Sequence, residues 1–487
     1  MGQPNKPASK PKNKPRRIKP QLVKGMRDQL GAPILRRQEM LDSIRRVFER
    51  FGFRPLETPV VEFAQTLTGS KAGETSQRIF TWNHEEDQVD LGLRFDLTVP
   101  LARYVAGNPH LRRPFKRYQS GPVFRVDKPG TGRFREFTQF DIDCVGTSSM
   151  MADAEILVAM SEVLGELGLP GHTIRWNHRG ILNAALLRAG IDAERSTDVI
   201  RVLDKEDKIG VEGVRLELGS GRVDSESGAK IEGLGLPADQ IDGLMAFLEI
   251  SAPSDDELIT AVTAHLEGVA GADDALREVN DLRSFVAALG APTARIEFAP
   301  RLARGMDYYT GPIFEATLDD LPHFGSIMGG GRYNELVSRF SGEQLPAVGA
   351  SIGVDRLLAA LEEAGRPPGR DHVSDVLVTT MDKKLLPAYL ELVSELRKAG
   401  LNAEFYLKPK ARLGDQLKYA SDWEIPFAVI MGEDEIKAGE VTVKDLEAGK
   451  AASEDVTDRE QWVEERPGQF QIARSELIVR LKSLLAG

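Results

Sequence analysis

The chain has 487 residues, too many for one hydrophobic core, because single cores stop growing near ~250–300 residues; two to four domains are expected at roughly 150 residues each. Hydrophobic residues make up 41% and charged residues 28% of it; no stretch approaches the ~20 uncharged apolar residues of a membrane helix and no secretory signal opens it, so the cytoplasm is the default location. A net charge of −11 repels nucleic acid as a whole, so RNA binding has to rest on local basic surfaces.

In chain order, residues 1–20 read as a disordered basic arm: Lys6, Lys10, Lys12, Lys14, Arg16, Arg17 and Lys19 stand among prolines with no acid. A solubilising tail explains that as well as an RNA contact does. From Ile34 to Phe51 the apolar Leu41, Ile44, Phe48 and Phe51 recur at helical spacing, and Gly52 ends the helix. LETPVVE, Leu56 to Glu62, reads as a strand that Pro59 confines to an edge or an interface. Leu91 to Gly146 reads as antiparallel strands joined by a charged loop, with alternation in Phe137, Phe140 and Ile142. A helix covers 151–168. Residues 181–292 are rich in alanine, leucine and acid and read as a helical insertion. Strand text resumes at Ala294 and runs to a glycine-rich turn at Gly329, and a helix covers Asp355 to Ala364. After a linker, Gly365 to Arg370, strands alternate with helices to the end, the pattern of an α/β domain with a largely parallel sheet.

The single cysteine, Cys144, lies in strand text and reads as a packed side chain rather than a nucleophile. The seven histidines do not cluster, and neither HExxH nor paired CxxC occurs, so no zinc or other metal site held by the protein is expected. GLGLPA, Gly233 to Ala238, matches a dinucleotide-binding pattern only in letters, since it lies in helical text with Pro237 at a helix start.

Five segments carry chemistry. Gly121 to Asp143, GPVFRVDKPGTGRFREFTQFDID, sets Arg125, Lys128, Arg133 and Arg135 around a Pro/Gly loop, which suits a polyanion over a sheet; Phe137 offers a stacking surface. A solvated basic hairpin reads equally well. LARGMDYYTG, Leu302 to Gly311, combines an arginine fork with two tyrosine hydroxyls, suited to a small polar ligand. GGGRYNELV, Gly329 to Val337, lets a ligand approach the backbone closely, although a hairpin turn explains it by itself. AVGASIGVDRLL, Ala347 to Leu358, puts Arg356 at a helix start, where a surface arginine is the plain alternative. In LRFDLTVPLARY, Leu93 to Tyr104, Asp96 and Thr98 share one face of a strand by period two. A carboxylate and a hydroxyl there suit an ammonium group, and a polar pair on an edge strand is the alternative.

Taken in this order, the segments resemble the class II aminoacyl-tRNA synthetases, and specifically the histidyl-tRNA synthetase family. LETPVVE with its helix resembles the first class II motif, FRVDKPGTGRFREF the second and GASIGVDRLL the third; LARGMDYY together with GGRY distinguishes the histidine branch. The resemblance covers Val23 to the C-terminus. It implies an α+β catalytic domain over 21–180 and 293–365, with an antiparallel sheet flanked by helices. It also implies the helical insertion over 181–292 and a C-terminal α/β anticodon-binding domain over 372–487.

The same resemblance implies that histidine is activated by ATP and loaded onto tRNA(His), with Mg²⁺ bridging the phosphates and a homodimer formed through the first-motif helix and the strand around Pro59. Carried over by motif, Arg125 grips the α-phosphate, Arg304 faces the reacting carboxylate and α-phosphate, and Arg356 meets the γ-phosphate. Phe137 stacks on adenine, and Asp127 and Arg133 contact the nucleotide. Asp96, Thr98 and Gln139 hold the histidine α-amino group; Asp143 and Tyr309, with Tyr308 alongside, read the imidazole. Many family members carry glutamate at the positions of Asp96, Asp127 and Asp143, so the charge is kept here on a shorter arm. Two readings compete: a non-catalytic relative of the family, which typically lacks a C-terminal domain, and a threonyl- or prolyl-type synthetase.

Overall fold

The computed structural model describes residues 18–69, 78–84, 89–128, 134–224, 228–290, 295–304, 308–408, 412–448 and 468–485. Most of the basic arm, Arg133, Gly305 and Asp307 therefore lie outside the described residues.

Helix α1 (Ala32–Arg50) starts on Pro33, buries Met40, Ile44, Val47 and Phe48, and stops before Gly52, whose φ of 77° suits only glycine. The strand expected over Leu56–Glu62 is split. Its flanks form β1 (Arg54–Pro55) and β2 (Val61–Phe63), which belong to different sheets. Between them Pro59 has no N–H to donate, and the Arg94 side chain donates to the Thr58 carbonyl at 2.7 Å, fixing an irregular crossing. Helix α2 (Ala64–Thr68), β3 (Thr81–His84) and β4 (Val89–Leu93) follow, giving a small antiparallel sheet in the order β2-β4-β3.

Asp96 and Thr98 are not on a strand. Helix α3 (Thr98–Ala106) begins there, because Asp96 Oδ1 accepts from Val99 N at 3.0 Å and Pro100 fits a first helical turn. The long hairpin β5 (Phe115–Phe124) and β6 (Glu136–Val145) is antiparallel as expected. It leads to α4 (Met150–Glu166), β7 (His172–His178), then α5 (Arg179–Arg188), α6 (Ser196–Leu203) and α7 (Glu206–Leu218). A hairpin, β8 (Gly221–Val223) and β9 (Lys230–Glu232), interrupts the helices before α8 (Ala238–Leu248), α9 (Asp255–His265) and α10 (Ala272–Ala288). Then come β10 (Ile296–Phe298), β11 (Pro312–Leu318), β12 (Met328–Arg332), α11 (Ser338–Ser341), β13 (Ala347–Gly353) and α12 (Val354–Glu363).

The main sheet has eight strands in the order β1-β5-β6-β13-β12-β11-β7-β10. It is antiparallel through its centre, and only the edge pairs β1–β5 and β7–β10 are parallel. One face is apolar: Phe140, Ile142, Cys144 and Ile352 pack on Met40, Phe48, Ile156, Met160 and Leu357 from α1, α4 and α12. The helical segment has no core of its own. Leu182, Val199, Leu244, Val279 and Leu282 belong to that same continuous core, with α10 packed on α4 and α5.

The C-terminal part builds β14 (Val376–Val378), α13 (Leu386–Lys398), β15 (Ala403–Phe405), α14 (Leu413–Asp422), β16 (Phe427–Ile430), α15 (Glu433–Ala438), β17 (Glu440–Asp445), β18 (Gln469–Ala473) and α16 (Leu477–Leu485) around a separate core. Strand order is β15-β14-β16-β17-β18. The sheet is only half parallel, against expectation. The pairs of β14 with β15 and β16 are parallel, but β16–β17 and β17–β18 are antiparallel. The 6 residues of α15 are too few for a crossover, and β18 had no sequence-level assignment. Arg36 on α1 holds the segment that leads into this part, donating to Asp371 at 2.6 Å, and also donates to Glu362 on α12 of the first part at 3.1 Å. No helix among the described residues is long and apolar enough to cross a membrane.

One buried ion pair pins the sheet to α4. Arg332 on β12 donates through Nε to Asp153 at 3.1 Å, and its other nitrogens reach the carbonyls of Thr147 and Ser149 at 3.0 and 3.2 Å. Removing one partner strands the other charge, so Asp153→Ala is expected to destabilise by about 3–5 kcal/mol, read as a lowered first melting transition.

Candidate active site

Above the core, the opposite face of the main sheet is polar. Strand β6 alternates: Phe140, Ile142 and Cys144 point into the core, while Phe137, Gln139, Asp141 and Asp143 line a cavity of about 610 Å³. Phe137 thus belongs with the polar set, not with Phe140 and Ile142 as the alternation was first read. Cys144, buried and pushed up to about 11 by desolvation, is the packed side chain expected. The cavity is also lined by Asp96, Thr98, Arg125, Asp127, Arg304, Tyr308, Tyr309 and Arg356. The fold therefore gathers every expected site residue that is described; Arg133 lies outside the described residues.

Four arginines line this space, Arg78 at its edge beside Asp127 and three others. Arg125, just beyond β5, donates from Nε to the Phe95 carbonyl at 3.1 Å and holds its guanidinium 5.1 Å from the centre of the Phe137 ring. Arg304 donates from Nη1 to Glu315 at 2.6 Å and to Ser326 Oγ at 3.1 Å. Arg356, at the start of α12, donates to the Ser326 carbonyl at 2.6 Å. Ser326 therefore sets the spacing of two arginines, a role that no sequence signal announced. Asp355 beside Arg356 accepts from Thr138 N at 2.8 Å and so joins α12 to β6.

Gly329 and Gly330 of β12 line the cavity, and the glycines of this strand also leave space inside the protein. A Cβ at Gly329 would collide with the Arg304 guanidinium, one at Gly331 with the Tyr309 ring, and one at Gly330 with the backbone of β13. They make room for the protein's own side chains to lie flat on the sheet.

Deeper in, the site is acidic. Asp96, Asp141 and Asp143 are all buried, and with them two buried cations, Arg117 on β5 and Arg94, which Asp141 attracts. Asp143 is taken up: Arg117 lies 2.7 Å from it, and the Tyr333 hydroxyl donates to it. Asp141 accepts from Ser351, whose Oγ accepts in turn from Gln139 Nε2. Asp96 Oδ2, Gln139 Oε1, Asp141 Oδ1 and Asp143 Oδ2 are buried with no hydrogen-bond donor, although Asp143 Oδ2 faces the Arg117 charge. Burial pushes the Asp96 carboxyl up to about 6 and that of Asp141 up to about 7, with Asp143 adding to the rise at both. Burial likewise raises Asp143, against the pull of Arg117. Tyr308, Tyr309 and Tyr333 are raised by desolvation and so stay neutral donors.

Buried acceptors without donors are costly, and a ligand carrying several N–H groups relieves them. The arginines beside them match phosphate or carboxylate oxygens. Sequence reasoning missed Asp141, Tyr333, Ser351 and Arg117. Asp141 was legible, since it alternates with Gln139 and Asp143; Tyr333 stands in the GGGRY string without an assigned role.

Comparison with known proteins decides the family. A model of the histidyl-tRNA synthetase family matches residues 25–357, and one of an anticodon-binding domain matches residues 375–466. The chain belongs to the histidyl-tRNA synthetase family. It is 43% identical over 499 aligned positions to a histidine–tRNA ligase of Ruegeria pomeroyi, covering 98% of this chain and 99% of that one. It is 40% identical to one of Rhizobium meliloti, covering 97% of each. A crystal structure of histidyl-tRNA synthetase from Nostoc sp. PCC 7120 superposes with a TM-score of 0.76 at 31% identity, covering 96% of this chain and all of that one. Membership makes this protein an aminoacyl-tRNA synthetase, and the matched anticodon-binding domain agrees with the two-part fold.

The buried carboxyls predict a pH effect. Asp96 and Asp141 bind protons more tightly folded than unfolded, so the stability they contribute is present below the ordinary carboxyl range near ~4 and is lost as pH rises through about 6 and about 7. Asp141→Asn is expected to melt above wild type at pH 8, with the gap closing toward pH 4 in a series of thermal melts.

Proposed function

We propose that the cavity binds histidine and ATP side by side and carries out both halves of the histidine–tRNA ligase reaction. The observation that carries this reading is the pairing, on one sheet face, of unpartnered buried acceptors with three arginines.

The histidine carboxylate attacks the α-phosphorus of ATP, forming histidyl-adenylate and expelling pyrophosphate. A hydroxyl of the terminal adenosine of tRNA(His) then attacks the activated carbonyl, giving histidyl-tRNA and AMP. Charge grows on the α-phosphate in the in-line displacement, so the protein's work is positioning and electrostatic stabilisation. Arg125 and Arg304 hold the α-phosphate and the reacting carboxylate between them, Arg304 being braced by Glu315 and Ser326. Arg356 takes the γ-phosphate. Phe137 stacks on adenine, and Asp127 and Arg133 contact the nucleotide. Asp96, Thr98 and Gln139 receive the α-ammonium group, for which Asp96 Oδ2 and Gln139 Oε1 stand ready. Asp143 and Tyr309, with Tyr308 alongside, form the wall facing the imidazole. Mg²⁺ arriving with the nucleotide would offset phosphate charge.

The division of labour follows the expected boundaries: catalytic over 21–180 and 293–365, acceptor-stem clamp over 181–292, anticodon reading over 372–487, with the arm 1–20 in front. Lys408, Arg412 and Lys418 give the C-terminal part local positive charge for RNA phosphates despite the acidic total. The protein works as a cytoplasmic homodimer. Support comes from the small sheet next to Pro59, where Val61, Phe63 and Trp82 are 42%, 58% and 40% exposed, an apolar face suited to a second copy.

Pyrophosphate exchange scanned over all twenty amino acids tests the reading: exchange with histidine alone supports it, and exchange driven by a different amino acid overturns it. Arg304→Ala is expected to lower histidine-dependent exchange by about 10²–10³-fold while ATP and histidine still bind. Phe63→Glu is expected to shift sedimentation toward the monomer; an unchanged dimer would place the interface elsewhere.

A further inference from the structure

We propose that the basic arm, residues 1–17, docks into a cleft between the start of α1 and the C-terminal part of the same chain, and so straps the two parts together. The arm lies outside the described residues; the cleft does not.

The cleft has a volume of about 560 Å³. Leu30, Pro33 and Leu35, at and before the start of α1, form one wall. The other wall comes from residues 371–374, which lead into β14, and from Tyr419 and Trp423 at the end of α14. Its apolar side chains meet water: Leu30, Val373 and Trp423 are 74%, 59% and 51% exposed. Large apolar side chains gathered around one groove mark a docking surface.

Charge selects the occupant. Asp371, Glu404, Asp422 and Glu424 line the groove, where His372 is the only titratable base. Arg36 takes up Asp371 at 2.6 Å, and the Tyr419 hydroxyl donates to Glu404 at 3.3 Å. Asp422 and Glu424 have no ion-pair partner among the described residues. RNA phosphates are repelled by such a surface, and a cationic chain is drawn to it. The arm is such a chain: Lys6, Lys10, Lys12, Lys14, Arg16 and Arg17 stand there with no acid.

The arm's prolines suit the aromatic wall. Lys-Pro steps recur at Lys6, Lys10 and Lys14. Such text favours the extended polyproline II conformation, which docks in aromatic grooves with little further ordering. Trp423 and Tyr419 supply the rings, their centres 6.4 Å apart and their planes at 55°. Asp422 and Glu424 flank Trp423 in the chain, placed for the lysines between the prolines.

The root of the arm is held near the cleft. The Gly25 carbonyl accepts from Arg135 N at 2.8 Å, and Arg27 pairs with Asp355 and lies 3.8 Å above the Phe134 ring. Leu30, on the cleft wall, follows Arg27 by three residues. Lys12 precedes Gly25 by 13 residues, a reach of up to ~45 Å. So short a tether gives the arm an effective concentration of roughly millimolar order, which favours docking on its own chain.

The test uses the full chain. Its one cysteine, Cys144, is buried, so Lys12→Cys can be labelled alone with bimane, a dye that tryptophan quenches on contact. Trp423→Phe is expected to raise the emission by about two-fold or more, as a docked fraction above roughly half requires. Asp422→Asn with Glu424→Gln should raise it with the quencher still in place, as should about 1 M NaCl, which screens exposed charges beyond ~3 Å. Emission indifferent to Trp423→Phe overturns the proposal. Quenching of a labelled Trp423→Phe chain by added unlabelled wild type would seat the arm on another copy, and also overturns it. A change in sedimentation caused by the double acid variant would give the cleft to a second copy, and weaker tRNA(His) binding in Trp423→Phe would give it to RNA; each counts against the arm. The strap has its own readout. Trypsin cleavage at Arg366 or Arg370, in the linker, should be faster in the double acid variant, and equal rates would remove the strap.

Discussion

The buried Arg117–Asp143 pair, set among three buried carboxylates, governs this site. Arg117 neutralises Asp143, and Tyr333 completes that pair, which leaves Asp96 and Asp141 short of partners in the same apolar surroundings. The fold bears the desolvation of both groups, visible in the upward push on their carboxyls. Under the proposed function, a substrate bringing a cationic amine and a ring N–H would offset that penalty. Strain of this kind is expected where binding has to be selective, because a ligand lacking either group leaves an acceptor buried and unpaired.

The sheet makes the arrangement possible. Period two on β6 sends Phe140, Ile142 and Cys144 into the core and Gln139, Asp141 and Asp143 into the cavity. Alongside, the glycines of β12 clear a floor on which Arg304 and Tyr309 lie. Ser326 then sets Arg304 and Arg356 beside each other. Rigid strands therefore carry most of the recognition, and the buried Arg332–Asp153 pair locks the same strand to α4 from below.

The helical segment shares the catalytic core through α5 and α10, so its position is coupled to the sheet that holds the site. The C-terminal part has its own core, and Arg36 on α1 bonds Asp371 in the segment leading to it. A shared core and a polar bridge are different attachments. Loss of the first exposes apolar surface to water, whereas exposed ion pairs contribute only about 0–1 kcal/mol.

Local text by itself determined most elements, the class of the fold and the identity of the site. Helical periodicity marked α1 and α4, glycine and proline marked their ends, and the LARGMDYY and FREFTQFDID strings named Arg304, Tyr308, Tyr309, Phe137, Gln139 and Asp143 among the cavity's side chains. Those signals are short-range: a repeat of 3.6 or 2, or a residue type that a turn requires. Only the tertiary structure decided how charges pair. Arg117 and Asp143 face each other because β5 and β6 lie in one register, and Ser351 reaches Asp141 because β13 lies on the other side. Such partners are separated by tens to hundreds of residues along the chain, and no local pattern encodes which buried acid will face Arg117 and which will face Ser351.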